Sequence, residues 1–226
     1  MGVKKRSAQR RWWRISIVFG IVIVIVALVT TKTKSLSGAQ DCRDWASVES
    51  LIPPVQFYDF DSTEWNTLDV VDFELDSNLS KEAYRIVSDE DGVKVYHGLE
   101  GDHRAQSTLG QLGLMGAEVA LPWGEITDEP VFSHRGVLLD VCRHFFTVDE
   151  VKRHLDIMAL YKFNVLHWHL TEDQGWRIAM NQYPKLAEVA AFRMHGDSTY
   201  GGSYSRVFSD EVVNYAGRCG VEVITS

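Results

Sequence analysis

Between residues 134 and 177 the chain gathers the side chains best suited to bind or cleave something. They are Asp140, Arg143 and His144, followed by His167, His169, Glu172 and Asp173. One guanidinium with carboxylates near it suits a polyhydroxylated ligand, because hydroxyls need both fixed donors and fixed acceptors. Trp168 and Trp176 offer flat faces for a sugar ring. Each group also has an ordinary reading. Arg143 can be an ion-pair partner of Asp140, Glu172 and Asp173 a solvated turn pair, and Trp168 a core residue. His167 and His169 share one strand face, which is also a metal-ligand arrangement. No carboxylate or third histidine completes that set, so neither a metal nor a cofactor is expected.

These side chains need elements to place them. Gly136–Val141 is an apolar run broken only by Asp140, as in a strand buried on both faces. Thr147-Val148-Asp149-Glu150 is a capping box. The helix it opens presents Val151, Leu155 and Met158 on one face, and Asn164 reads as its left-handed C-cap. Val165–Leu170 is a second strand, and a loop runs from Tyr183-Pro184 to Gly201-Gly202. Ser209-Asp210-Glu211 starts another helix with acids in its first turn, Gly220 ends it, and Val221–Ile224 is a third strand. Strands alternating with helices predict parallel β/α units, whose binding face lies at the carboxyl ends of the strands. Three such units fit either a small open sheet or a barrel interrupted after its third strand, since a closed eight-fold barrel takes roughly 250 residues.

Upstream, residues 55–120 read as a small α+β unit. Leu68–Leu75 is strand-like. Tyr84, Ile86, Val93 and Val95 alternate with polar residues on either side of an acidic turn ending in Gly92, which predicts a hairpin. Ala105–Met115 looks helical, and Leu121-Pro122-Trp123-Gly124 reads as a connector. Asn78-Leu79-Ser80 is an N-glycosylation sequon.

Charge is unevenly placed. The chain holds 23 Lys/Arg against 31 Asp/Glu, for a net charge of −8. Eight of the bases (Lys4, Lys5, Arg6, Arg10, Arg11, Arg14, Lys32 and Lys34) fall before residue 35, where there is no acid. The remaining body is therefore strongly acidic, which argues against nucleic acid as a partner. Ile15–Thr31 carries no charge and is mostly Ile and Val. As a helix it rises about 25 Å, a little less than a bilayer core of about 30 Å. Trp12 and Trp13 stand at its interfacial edge. The expected organisation is a basic cytosolic tail (1–14), a transmembrane signal anchor (15–31) and a polar stalk (32–54) ending in Pro53-Pro54. More bases precede the span than follow it, which predicts a single-pass type II membrane protein. Its C-terminal part would be lumenal (Golgi or endomembrane) or extracellular. A cleaved signal peptide is the alternative, with Ser37-Gly38-Ala39 rather distant as a cleavage site. Cys42, Cys142 and Cys219 have no motif spacing, and the latter two read as small core residues.

Three strings carry a resemblance. They are His134-Arg135-Gly136-Val137-Leu138-Leu139-Asp140-Val141-Cys142-Arg143-His144-Phe145, then Tyr161 through Arg177 with His167-Trp168-His169-Leu170-Thr171-Glu172-Asp173-Gln174-Gly175-Trp176-Arg177, then Tyr183-Pro184-Lys185-Leu186. Together they resemble the β-N-acetylhexosaminidases of glycoside hydrolase family 20. Residues 68–118, with Thr108-Leu109-Gly110-Gln111-Leu112, resemble the small domain that precedes the barrel in that family. The resemblance implies an α/β fold in which residues 121–226 form the first three units of an incomplete (β/α)8 TIM barrel. It implies a hydrolase that removes terminal β-linked N-acetylhexosamine (GlcNAc or GalNAc) from glycoconjugates, with the substrate's own acetamido oxygen as nucleophile. Arg143 then matches the arginine that holds the ring hydroxyls. Glu172 and Asp173 match an acidic pair, one member of which positions a histidine relay, and His169 matches a place at the pocket floor. The first acidic place is often Asp in the family. The resemblance places the catalytic Asp-Glu pair after a fourth strand, beyond Ser226, so no catalytic residue is assigned within this chain. A homodimer of the full-length form belongs to the same expectation. The alternative function is a non-catalytic, membrane-anchored fragment that binds a glycan or a partner.

Overall fold

The computed structural model describes residues 51–68, 71–115 and 120–226. The basic tail, the 15–31 span, nearly all of the stalk and Cys42 lie outside the described residues. Among those described, no helix is long and apolar enough to cross a membrane.

The first part is a five-stranded sheet with a helix on one face. Its strands are β1 (Phe57–Thr67), β2 (Val71–Leu75), β3 (Tyr84–Asp89), β4 (Gly92–His97) and β5 (Ala120–Asp128), with α1 (Gly101–Met115) between the last two. The order is β1-β5-β3-β4-β2; β2 runs parallel to β4 and the other pairs are antiparallel. The predicted hairpin is β3–β4, with Ile86 opposite Val95. Its inward residues Tyr84, Ile86, Val93 and Val95 pack with Ala105 and Leu112 of α1 and Leu121 and Ile126 of β5.

The connector reading of Leu121–Gly124 is corrected: these residues lie in β5, between β1 and β3. Pro122 and Gly124 look like breakers, but each sits where a strand tolerates it. Pro122 lies beyond the last β3 partner and beside the register shift between Asp61 and Trp65 of β1. Gly124 has φ +144°, and a Cβ there would stand 2.1 Å from the Asp59 carbonyl oxygen. The first sheet therefore runs to Asp128, past the 120/121 division.

The second part is a three-stranded parallel sheet. Its strands are β6 (Gly136–Asp140), β7 (Val165–His169) and β12 (Glu222–Thr225), in the order β12-β7-β6. Between β6 and β7 lies α2 (Val148–Leu160). Between β7 and β12 lie two short strands, β8 (Thr171–Glu172) and β9 (Gly175–Trp176), then α3 (Pro184–Glu188), the hairpin β10 (Phe192–His195) and β11 (Ser198–Gly201), and α4 (Arg206–Arg218). Thr147 forms the predicted capping box with Glu150, and α2 buries Val151, Leu155 and Met158. These join Leu139, Leu166, Trp168, Tyr204, Val212 and Ala216 in one core between the helices and the sheet.

Four further readings are corrected. β6 is covered on one face only, with Leu138 58% exposed, because both crossovers put their helices on the same side of the sheet. The loop from 183 to 202 contains α3 and the β10–β11 hairpin. α4 starts at Arg206, capped by Ser205, so Asp210 and Glu211 lie beyond its first turn. The left-handed residue after α2 is Lys162, at φ 60°, rather than Asn164. Both α2 and α4 end in Schellman turns. Phe163 N–H reaches Met158 O at 2.9 Å, and Val221 N–H reaches Ala216 O at 2.9 Å. The second turn uses Gly220 at the left-handed position, where the backbone is least strained. The first uses a lysine, whose ammonium has a buried partner. Lys162 Nζ donates to Asp128 Oδ2 at 2.7 Å and to Tyr84 Oη at 2.9 Å. Asn164 instead pins the approach to β6: its Oδ1 accepts the Arg135 N–H at 2.8 Å, and its Nδ2 donates to Ser133 O at 2.7 Å.

The two sheets are joined through polar groups. Beside the Lys162–Asp128 pair, Glu82 accepts from Arg104 at 2.9 Å and from Arg135 at 2.5 Å. Arg104 also donates to Gly220 O at 2.9 Å, in the turn that ends α4. Burial pushes the Glu82 carboxyl up, but the two guanidiniums outweigh it and hold it below its ordinary value.

Candidate functional site

The parallel register sets which side chains meet. Asp140 lies beside His169, and Leu139 beside Trp168. Asp140 and His169 therefore share the face opposite the helices, at the carboxyl ends of their strands, while Trp168 points into the core. Trp168 is 1% exposed and packs against Tyr204, ring centroids 4.8 Å apart and tilted by 55°, so it offers no platform to a sugar.

Arg143 follows β6 in a tight turn built by Asp140. The Asp140 Oδ1 accepts the backbone N–H groups of Cys142 and Arg143, each at 3.0 Å. Its Oδ2 accepts Arg143 Nη1 at 2.8 Å. The other arm of the guanidinium, Nη2, donates to Glu172 Oε1. Arg143 thus bridges the end of β6 and the β8–β9 hairpin, and its side chain is still 57% exposed. Burial pushes the Asp140 carboxyl up, but the two N–H donors and the Arg143 charge outweigh it and hold it below its ordinary 3.8.

Glu172 uses one oxygen on Arg143. Its Oε2 is shielded from solvent without a hydrogen-bond partner and lies 3.8 Å from His169 Nε2. The Nδ1 of His169 is 2.8 Å from Ser226 Oγ, which is also 2.8 Å from His167 Nε2. Arg143, Glu172 and His169 are therefore brought together with Asp140. Asp173 is not: it is exposed in the β8–β9 turn and takes no part in these contacts. Trp176 is half-buried and donates to Ile178 O at 2.8 Å. Asn78 is exposed in a turn, where its N–H and Nδ2 both donate to Asp76 Oδ1 at 2.9 Å.

One cluster has metal-ligand composition: Asp140, Cys142 and His169 offer atoms within 4.8 Å of one another. Its electrostatics oppose a cation. Asp140 is shared with the Arg143 guanidinium, and the buried Arg177 donates to the Cys142 carbonyl at 2.6 Å. Burial, with the negative charge of Asp140 beside it, pushes the Cys142 thiol up to about 11, so it stays protonated. Its Sγ–H donates to His169 O at 3.2 Å. Cys142 and Cys219 carry free thiols, and Cys142 is fully buried.

A cleft of about 760 Å³ opens at the opposite, amino ends of the strands, where Val165 and Glu222 meet Glu82, Glu100 and Glu129. Two of those acids are already paired, Glu82 with Arg104 and Arg135, and Glu100 with Lys81. Ligands of parallel β/α folds bind at the carboxyl ends instead, where Arg143 lies.

Residues 132–226 match the catalytic domain of glycosyl hydrolase family 20. Over those residues the chain is similar to this family. A β-hexosaminidase of Porphyromonas gingivalis is 43% identical over 158 residues, covering 65% of this chain and 20% of the relative. A β-hexosaminidase of Akkermansia muciniphila is 36% identical over 181 residues, covering 77% of this chain and 37% of the relative. Among solved structures, a family 20 exo-β-N-acetylglucosaminidase of Vibrio harveyi in complex with N-acetylglucosamine superposes with a TM-score of 0.64 at 32% identity. That superposition covers 69% of this chain and 26% of the other. The family 20 neighbours give the second part a barrel-type fold, and the chain spans well under half the length of these relatives.

Two residues that join this cluster were not singled out from the sequence. Arg177 is buried and donates to four carbonyls, those of Val141 at 2.7 Å, Cys142 at 2.6 Å, Ala191 at 2.5 Å and Gly202 at 3.1 Å. It knots the end of β6 to the base of the β10–β11 hairpin. No local pattern marks it, because the carbonyls it binds come from four separate positions along the chain. Ser226 enters because β12 pairs with β7, Thr225 opposite Trp168, which no local pattern reveals.

Proposed function

We propose that this chain supplies the sugar-gripping side of a β-N-acetylhexosaminidase site. The observation that carries the reading is the fork of Arg143 between Asp140 and Glu172 at the carboxyl ends of β6 and β7. A guanidinium fixed by two carboxylates, yet still exposed, presents donors to ring hydroxyls, and the carboxylates beside it accept from the same hydroxyls. Glu172 Oε2 keeps an unused acceptor for a donor arriving from the ligand or from the rest of the site. The names of the relatives support terminal N-acetylhexosamine as the ligand class. Cleavage would then proceed with the substrate's acetamido oxygen as nucleophile and an enzyme carboxylic acid as proton donor. Residues 1–226 contribute Arg143, Glu172, His169 and, at the rim, Asp173.

The test uses the protein expressed from its complete gene. Turnover of nitrophenyl N-acetyl-β-glucosaminide or galactosaminide, and none of the β-glucoside, is expected. Arg143→Ala should reduce kcat/KM by about 100-fold, the loss of two charge-assisted hydrogen bonds. An inert wild type, or an Arg143→Ala variant as active as wild type, overturns the reading.

A lumenal or extracellular setting belongs to the same proposal. It is supported by the uncharged run at 15–31 behind six bases and by the exposed sequon asparagine Asn78. Resistance to alkaline carbonate extraction, with a mass shift on glycosidase treatment that Asn78→Gln abolishes, is the expected result. Extraction into the soluble fraction rejects the anchor.

A further inference from the structure

We propose that Arg193 is a positioning residue for the sugar grip, holding the Arg143 main chain and the β8–β9 hairpin at the height where Arg143 and Glu172 meet the ligand. The inference rests on the reading above and adds a residue that has no contact with the Arg143 fork itself. Arg143, His144 and Phe145 follow β6 outside any sheet ladder. Asp140 takes the Arg143 N–H, and the β10–β11 hairpin holds the Arg143 carbonyl and both main-chain groups of Phe145.

Arg193 Nη2 donates to the Arg143 carbonyl oxygen at 2.5 Å. Nη1 of the same guanidinium donates at 3.3 Å to Gln174 Oε1, in the β8–β9 turn two residues beyond Glu172. One planar group therefore ties together the two elements whose side chains form the fork. Its donors go to a main-chain carbonyl and a neutral amide rather than to a carboxylate, which sets it apart from a surface ion pair. Directly across the hairpin from Arg193 is Tyr200. The guanidinium lies 5.7 Å from that ring, within reach of a cation–π contact. Tyr200 Oη in turn accepts the Phe145 N–H at 2.9 Å and donates to Phe145 O at 3.2 Å. Two cross-strand partners thus hold the first and third residues of the segment 143–145. Arg177 anchors the base of the hairpin from below, through Ala191 and Gly202.

A group that only places Arg143 affects ground state and transition state alike, so its loss is expected in KM rather than kcat. The experiment compares wild type with Arg193→Met, which keeps the stem, and Arg193→Lys, which keeps the charge but only one donor nitrogen. It measures KM and kcat on a nitrophenyl N-acetylhexosaminide, hydrogen exchange of the peptides around 141–146 and 171–176, and the thermal midpoint. Expected for Arg193→Met is a KM raised on the order of five-fold, the factor for one lost hydrogen bond, with kcat within about two-fold. Exchange should rise in those two peptides and not across the core strands, and Arg193→Lys should recover part of the KM. An unchanged KM, or a fall confined to kcat, overturns the proposal. If wild type turns over no hexosaminide, the proposed function fails, and exchange still decides the positioning role: unaltered protection at 141–146 in Arg193→Met rejects it.

Discussion

Asp140 holds Arg143 from both ends, its Oδ1 taking the Arg143 backbone N–H at 3.0 Å while its Oδ2 takes Nη1 at 2.8 Å. A side chain exposed at a strand end would otherwise sample many rotamers. Here the residue three positions earlier fixes the backbone that launches it and the charge that ends it. The entropy of ordering is met within the fold, before a ligand arrives.

The protonation of Asp140 gives this arrangement a pH dependence. Its carboxyl is held below the ordinary 3.8, so the contribution of the turn is fully present above that value. It is lost as pH falls through the depressed folded value. Affinity for N-acetylglucosamine, as far as Asp140 governs it, should stay level from pH 7 down to about 4 and weaken only below. Asp140→Asn should weaken it across the whole range. Calorimetric titration of the sugar at several pH values checks this, and a midpoint well above 4 in wild type would assign the effect to another group.

Arg143→Lys tests whether the planar fork matters or only the charge. A lysine ammonium cannot reach Asp140 and Glu172 with two parallel arms. The variant should keep the fold and lose about ten-fold or more in sugar affinity, the scale of one charge-assisted hydrogen bond. Equal affinity in the two proteins would mean that the charge alone is read.

Lys162 gives a prediction that runs against a familiar rule. It occupies a left-handed position at φ 60°, where glycine relieves about 1–2 kcal/mol of backbone strain. Lys162→Gly should nevertheless destabilise, because it leaves the Asp128 carboxylate buried without its ammonium. Breaking such a pair from one side costs about 3–5 kcal/mol, so a net loss of about 2 kcal/mol is expected. Asp128→Asn, which strands the lysine instead, should cost as much or more. Denaturant melts of the three proteins decide it; a stabilised Lys162→Gly would show that the pair contributes little.

Gly124→Ala should loosen the edge of the first sheet. Its Cβ would stand 2.1 Å from the Asp59 carbonyl oxygen, a main-chain atom that cannot swing aside, at φ +144°. A loss of about 2 kcal/mol or more is expected, with new protease cleavage near Asp59 as β1 separates from β5. Unaltered protection at 57–60 would contradict the close approach.

The sequence by itself determined the elements whose signals are local. The Thr147–Glu150 capping box, the Val151/Leu155/Met158 face, the β3–β4 hairpin around its acidic turn and the strand at Val165 all follow from short-range periodicity and hydrogen bonding. It also singled out Arg143, Glu172 and His169, because polar residues at strand ends stand out against apolar runs. Tertiary structure decided what depends on register. Pairing of β6 with β7 sends Trp168 to the core and His169 to the open face, and pairing of β12 with β7 delivers Ser226 to two histidines. β5 was hidden because Pro122 and Gly124 read as breakers until their neighbours are known, and β1 because it is a polar edge strand with its aromatic residues half exposed. The left-handed turn fell to Lys162 because Asp128, 34 residues earlier, awaits its ammonium. Arg193 and Arg177 act on carbonyls far away in sequence, and a carbonyl has no sequence signature.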